Sequence, residues 1–153
     1  MAALQLDVWR TVYVSFLPPQ VLEQLDQDSA RQSWERAVAA SGDAHLLVAT
    51  ESGAVAGFGV AVGAEIATLL VAPRWSRRGH GGRLLGTLAE RLASTGAGHG
   101  EVWVPEGDEA SRAFFPAHRW RPDGTVRTSH HGAPGAAVLH ELRHTGPLTP
   151  NWI

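Results

Sequence analysis

The 153-residue sequence contains no cysteine, which excludes disulfide bonds, thiolate nucleophiles and metal sites built on cysteine. Long apolar runs are missing as well, since no stretch approaches the roughly 18 apolar residues of a membrane span. The N-terminal residues MAALQLDVWRTVY lack the basic and apolar regions of a secretory signal. We therefore expect a cytoplasmic protein that does not enter a membrane.

The sequence has little excess charge of either sign, with a formal net charge of −2 at pH 7. A nucleic-acid-binding protein would be expected to carry a broad positive field, so we expect no nucleic acid partner. Positive charge is concentrated at one place only, where Arg74, Arg77, Arg78 and Arg83 lie beside several glycines. The apolar content of 44% and the charged content of 18% are typical of a globular domain.

The spacing of apolar residues changes once along the chain. Before residue 43 it is helical, interrupted at Pro18 and Pro19. After that point the pattern predicts strands at 45–50, 54–62 and 65–71, a helix at about 82–94, a strand at 101–104, a helix at 109–117, and closing strands at 120–128 and 136–143. No repeat or linker divides the sequence, so we expect residues 1–153 to form a single domain of the α+β (mixed α/β) class.

The most informative stretch joins a predicted strand to a predicted helix through a loop rich in glycine and arginine. Residues 69–85 read LLVAPRWSRRGHGGRLL. The first N–H groups of a helix have no partner within the helix and lie at the positive end of its dipole, so they commonly bind phosphate. Neighbouring arginines add charge-assisted hydrogen bonds. The stretch therefore predicts a phosphate-binding site.

Two other phosphate-binding loops fit this stretch less well. A P-loop needs Gly-Lys-Ser/Thr, and the stretch contains no lysine. A dinucleotide-binding turn needs G-x-G-x-x-G; Gly79 and Gly81 begin that spacing, but Leu84 stands where the last glycine is required. A solvated arginine-rich turn that binds nothing is the remaining alternative.

The same residues resemble the signature of the GNAT acetyltransferase family. Family members carry a strand ending Leu-x-Val-x-Pro, then Arg/Gln-x-x-Gly-x-Gly/Ala at the start of a leucine-faced helix. Here Leu69-x-Val71-x-Pro73 is followed by Arg78-Gly79-His80-Gly81. The last Gly/Ala of the signature falls on Arg83, whose side chain is then expected to point away from a bound pyrophosphate.

The resemblance extends over most of the chain. The residues from Trp9 to Pro18 are similar to the first two helices of bacterial members, and Arg119–Gly124 is similar to their Gly-Phe-Arg-Pro-Asp-Gly turn. It implies a twisted mixed sheet, flanked by helices, that splays between its fourth and fifth strands. The sequence begins within the expected first helix, so either the sheet lacks the usual first strand or the true start lies upstream. An edge left open in this way would suit a homodimer.

The resemblance also implies which residues bind acetyl-CoA as a cosubstrate. Backbone groups of the strand would hold the pantetheine and the acetyl carbonyl, and the loop would hold the pyrophosphate. The strand residues are Leu69, Leu70 and Val71, and the loop residues are Arg77, Arg78, Gly79, His80, Gly81, Gly82 and Arg83. No metal site is expected, because the eight histidines do not form an HExxH motif.

A general base is needed, because members of this family transfer the acetyl group by direct attack of an amine that arrives protonated. Glu65 stands at the same distance before Arg78-Gly79 as the general-base glutamate of the histone acetyltransferase branch. Its apolar neighbours are expected to raise its pKa. Alternatively, Glu65 is only a polar residue at the start of a strand.

The resemblance breaks at the residue that often protonates the departing thiolate. The family motif N-x-x-A-x-x-Φ-Y is matched by Asp108-x-x-Ser111-x-x-Phe114-Phe115. Phe115 cannot donate a proton, and Asp108 is expected to cap the following helix. The sequence therefore predicts an N-acetyltransferase acting on a primary amine of a small molecule or protein. A non-catalytic acyl-CoA-binding regulatory module is the alternative, and no motif identifies the acceptor.

Overall fold

The computed structural model describes residues 44–131 and 137–148. The helices predicted before residue 43, and with them the question of a first strand, lie outside the described residues. The strands are β1 (Ala44–Glu51), β2 (Ala54–Val62), β3 (Glu65–Val71), β4 (Gly100–Pro105), β5 (Arg121–His131) and β6 (Ala137–Gly146), and the helices are α1 (His80–Ser94) and α2 (Glu109–Ala117), with a 3-10 turn at Pro73–Trp75. Every element predicted after residue 43 is present, with ends shifted by a few residues at most.

The described strands form one mixed sheet in the order β1-β2-β3-β4-β6-β5, which confirms the predicted fold class. Neighbouring strands are antiparallel except β3 and β4, which are parallel. β1 and β2 are joined by a two-residue turn at Ser52 and Gly53, with φ angles of 53° and 79°. Two positive φ angles in succession match the twist of a tight hairpin.

The sheet opens between β3 and β4. The two strands pair only where Glu65 faces Glu101 and where Ile66 faces Val102, although β3 continues to Val71. Since β4 pairs with β3 no further, the second half of β3 has, among the strands that the structure describes, a partner only on its β2 side. This is the splay that the sequence resemblance implied, located here between the third and fourth described strands.

β3 carries one extra residue close to this opening. Val60 of β2 pairs with Thr68, whereas the next residue, Ala61, pairs with Ile66. Ala67 is therefore the additional residue of a β-bulge. A bulge of one residue changes which side chains share a face of the strand.

The bulge puts residues of both halves of β3 on the face that α1 covers. Ile66 is 1% exposed within the core, and Leu69 packs against the same core. A methyl group added at Gly59 would lie 2.6 Å from Leu88 of α1 and 3.2 Å from Leu69. Because neighbouring side chains alternate, Glu65 lies on the face away from α1.

α1 binds the sheet through a stripe of buried leucines, the residues that predicted the helix. Leu85, Leu88 and Leu92 are at most 2% exposed, and burial of each contributes about 1.5–3 kcal/mol. Among the described residues, no helix is long and apolar enough to cross a membrane.

α2 begins at the residue that the sequence predicts as its cap. The carboxylate of Asp108 accepts a hydrogen bond from the N–H of Ser111 at 3.1 Å, and a second from its hydroxyl at 2.7 Å. Trp120, 2% exposed, follows the helix and covers Gly100 and Gly146, which pair between β4 and β6. The missing side chains at these glycines leave room for the indole ring.

Replacing Gly146 by alanine should destabilise the fold, because the added methyl group would overlap the indole of Trp120. Overpacking of this kind costs about 1–3 kcal/mol, so the urea midpoint should fall at an unchanged m-value. Gly98→Ala is the matched control, since a methyl group there meets nothing within 4 Å. Equal stability of the two variants would contradict this packing.

Candidate functional site

A cavity of about 810 Å³ lies in the opening of the sheet, a size typical of ligand sites. One wall comes from β3 and the loop that follows it, and the facing wall comes from α2. The predicted cofactor-binding residues in the first wall are Leu69, Leu70, Val71, Arg77, Gly79, Gly81 and Gly82. The structure thus brings most of the predicted binding residues to one cavity.

The loop between β3 and α1 turns through two residues with positive φ angles. Arg77 has a φ of 60° and Gly79, the residue that precedes the helix, has a φ of 87°. Glycine adopts this conformation without steric cost, whereas a residue with a Cβ atom is strained there. The turn starts the helix abruptly beside the cavity.

The first turn of α1 presents unused hydrogen-bond donors. Gly79 has no side chain to cap the helix, and the N–H of Arg83 is the donor to its carbonyl, at 3.1 Å. The amides of His80, Gly81 and Gly82 precede that bond and are the orphan donors expected at a helix start. No acidic residue occupies the first turn, so the positive end of the helix dipole is left for a bound anion.

Gly81 and Gly82 carry no side chains on the surface of α1 that faces α2, so the two helices can lie close together. A Cβ atom at Gly81 would lie 3.0 Å from the ring of Phe114, and one at Gly82 would lie 3.0 Å from Nε2 of His118. Larger residues at these positions would fill the cavity from within. The small loop, the orphan amides and the cavity volume together fit a pyrophosphate with an elongated chain attached.

Three predicted binding residues turn their side chains elsewhere. Arg78 is hydrogen-bonded to Glu51 at 2.7 Å, and His80, 5% exposed, is bonded to the same carboxylate at 2.5 Å. Arg83 lies 3.1 Å from the second ring nitrogen of His80. The side chain of Arg83 therefore points to this network, as the resemblance required.

Glu65 lies on the paired segment of β3, opposite Glu101, and is not among the residues that border the cavity. Its environment shifts its acidity. Burial raises the pKa of the carboxyl; Arg127 acts in the opposite direction, and the carboxylates of Glu101 and Glu141 add to the rise. This is the direction expected from the apolar neighbours in the sequence. A carboxylate with a raised pKa is better matched to accepting a proton near neutral pH.

Paired charges surround Glu65 on its face of the sheet, and sequence reasoning missed them. Arg127 donates to Glu141 at 2.6 Å and stacks 4.3 Å from the ring centre of Trp103. Arg143 lies 3.4 Å from Glu101. These residues belong to β4, β5 and β6, so only the strand order brings them together. Charged residues alternate along β6, and this pattern is the sequence signal that could have indicated a charged face of the sheet.

The wall formed by α2 contains Phe115 at the position of the expected tyrosine. Phe115 is 4% exposed and packs against Trp120, with ring centres 6.4 Å apart. The same wall carries three polar residues that were not assigned to the cavity from sequence, namely Asp108, Ser111 and His118. Nδ1 of His118 lies 2.9 Å from the carbonyl oxygen of Phe114, the residue one turn earlier.

A family model described as the acetyltransferase (GNAT) domain matches residues 14–129, which is most of the chain. The chain belongs to the GNAT acetyltransferase family. The family assignment confirms the prediction of an acetyl-CoA-dependent N-acetyltransferase. No curated protein sequence matches the chain significantly.

Solved acetyltransferase structures have a similar fold at low sequence identity. A GCN5-related N-acetyltransferase from Rhodopseudomonas palustris has a TM-score of 0.76 at 21% identity, covering 95% of this chain and 86% of its own. The PaiA N-acetyltransferase from Thermoplasma acidophilum, solved with coenzyme A, has a TM-score of 0.65 at 15% identity, with coverages of 92% and 88%. The yncA protein from Salmonella typhimurium, solved with acetyl-CoA, has a TM-score of 0.68 at 16% identity, with coverages of 99% and 88%.

Gly81→Glu should abolish acetyl-CoA binding, because it places a longer side chain and a negative charge at the wall beside Phe114. Acetyl-CoA at 100 times its Kd should add about 2.7 kcal/mol to the free energy of unfolding of the unmodified GNAT domain. Its melting temperature should rise accordingly. The variant should show no rise. Gly98→Glu adds the same charge in a loop where a Cβ atom meets nothing within 4 Å, and should keep the full shift. A normal shift in folded Gly81→Glu would place the cofactor elsewhere.

Proposed function

We propose that residues 1–153 form one enzyme domain that acetylates a primary amine of a small molecule or protein by direct attack, with Glu65 as the general base. The observation that carries the proposal is the cavity at the opened sheet, which is bordered by the second half of β3 and by the first turn of α1, with Glu65 at the start of the same strand. Acetyl-CoA supplies the acetyl group as a thioester. The roles of the chain's own residues follow from where they lie.

The second half of β3 offers backbone groups to an extended ligand. Leu69, Leu70 and Val71 pair with β2 on one side, and their other side borders the cavity. An extended chain can add to such an edge as another strand would. We assign the pantetheine to this edge.

The pyrophosphate is assigned to the turn that follows. The amides of His80, Gly81 and Gly82 begin α1, and the side chain of Arg77 borders the same cavity. Charge-assisted hydrogen bonds to these donors would fix the position of the thioester along β3.

Glu65 would accept the proton of the acceptor amine, directly or through water. The neutral nitrogen then forms its bond to the acetyl carbon as the carbon–sulfur bond breaks, the nitrogen releases its second proton to water to give the amide, and the thiolate departs. Phe115 has no group that donates a proton to the thiolate, so we assign that step to water.

A binding module without catalysis is the second candidate, and Phe115 is the observation that favours it. The two candidates differ in one measurement, the release of free thiol from acetyl-CoA when a panel of amines is added. Thiol release that depends on one class of amine supports the enzyme. Binding of acetyl-CoA without release for any amine supports the module.

Glu65→Gln should lower turnover by on the order of 10²-fold at neutral pH, with little change in acetyl-CoA affinity. A higher pH should restore part of the rate, because more of the acceptor then arrives neutral. The native carboxyl has a raised pKa, so the folded state loses stability as pH rises from the unfolded pKa through the folded one. The variant lacks this loss and should be no less stable at pH 7. An unchanged rate across the pH range would remove Glu65 from the mechanism.

The charges near Glu65 should set the pH dependence of kcat/KM. Glu101→Gln removes a carboxylate that raises the pKa of Glu65, so the acidic limb should move to lower pH. Arg127→Gln removes a cation that lowers it, so the limb should move to higher pH. Shifts of both variants in the same direction would show that another group controls the profile.

A further inference from the structure

Glu51 reaches the cofactor loop from a distant part of the sequence. It is the last residue of β1, directly before the hairpin turn. It lies outside the glycine-rich signature, and its contacts with α1 show that its side chain crosses to the face that the helix covers.

The two carboxylate oxygens of Glu51 bind the two residues that flank Gly79. Oε1 accepts from Nη1 of Arg78 at 2.7 Å, and Oε2 lies 2.5 Å from Nε2 of His80. Gly79 itself has the positive φ angle that ends the loop. One carboxylate therefore holds both sides of the turn from which the helix amides emerge.

The hydrogen bonds around His80 have a fixed direction. Arg83 approaches Nδ1 at 3.1 Å, and a guanidinium can only donate, so Nδ1 accepts. Nε2 then carries the proton and donates it to Glu51. His80 is 5% exposed, so water does not readily replace these partners. The ring connects the first turn of α1 to β1.

The carboxylate of Glu51 is well suited to this position. The hydrogen bond from His80 lowers its pKa most, and Arg78 lowers it further against the opposing effect of burial. The loop holds Arg74 and Arg78 near the Trp75 ring, 5.5 Å and 4.9 Å from its centre. An ionised Glu51 offsets the repulsion of these cations and holds Arg78 against β1.

We infer that Glu51 is a positioning residue for pyrophosphate binding: through Arg78 and His80 it fixes the turn at Gly79 and so aims the amides of the first turn of α1 into the cavity. The inference rests on the proposed assignment of the pyrophosphate to this turn. Glu51 does not itself border the cavity. Its effect on the cosubstrate is exerted through the loop.

The test compares acetyl donors with and without a pyrophosphate. Glu51→Gln cannot accept from Arg78 and His80 with both side-chain atoms, because its nitrogen only donates. It should raise KM and Kd for acetyl-CoA by about tenfold, the loss of one well-aimed charge-assisted hydrogen bond, at an unchanged kcat. Acetyl-dephospho-CoA, which keeps the pyrophosphate, should show the same loss. S-acetylpantetheine, which lacks it, should react with the variant as with the unmodified enzyme.

Two further variants keep the comparison interpretable. Glu90→Gln makes the same charge change at an exposed position of α1 and should leave both donors unaffected. Arg78→Gln removes one partner of Glu51 at a side chain that is 52% exposed, so the variant should fold. It should reproduce the selective loss with acetyl-CoA.

Each outcome has a distinct meaning. The positioning role of Glu51 would be overturned by either of two results. In the first, Glu51→Gln raises KM equally for acetyl-CoA and S-acetylpantetheine. In the second, the acetyl-CoA affinity is unchanged in both Glu51→Gln and Arg78→Gln. If the unmodified enzyme did not prefer acetyl-CoA to S-acetylpantetheine, the pyrophosphate assignment itself would fail, whatever the variants did.

Discussion

The separation of β3 from β4 after Ile66 is the constraint on which the rest of the site depends. A backbone edge inside a protein needs hydrogen-bond partners, and within the described part of the chain the second half of β3 has a strand partner only on the β2 side. The cavity that opens beside it contains backbone groups already held in an extended conformation. A linear ligand with amide groups, such as pantetheine, can satisfy them where β4 does not.

The extra residue at Ala67 separates the residues proposed to bind the cofactor from the carboxylate proposed to accept the proton. With it, the residues before and after the bulge both contribute to the core under α1, while Glu65 stays on the opposite face. In the proposed reaction the helix amides and the arginine loop would then serve the anionic end of the cosubstrate, and Glu65 would serve a cationic acceptor. The pairing of Arg127 with Glu141 limits how strongly the arginine suppresses the basicity of Glu65.

The elements that depend on local signals could be predicted from the sequence. The leucine spacing gave α1, and the Asp108-x-x-Ser111 pattern gave the cap of α2, because each requires residues only a turn apart. The bulge could not be predicted, since residues 65–71 are apolar at almost every position after the first and no alternation reveals the additional one. The glycine spacing located the turn that borders the cavity. Its support by Glu51 could not be found, because Arg78 and His80 lie 27 and 29 residues further along the chain.

The narrow seam between β3 and β4 also determines how firmly the two halves of the described sheet are joined. Strands β1 to β3 lie on one side of the seam and β4 to β6 on the other, and β3 and β4 pair at only two positions. The buried cluster that includes Ile66, Val102 and Phe115 spans both sides. Apolar packing is not directional, so it resists separation more than small changes of angle. We therefore expect the angle between the two halves of the described sheet to change more easily at this seam than at any other strand pairing.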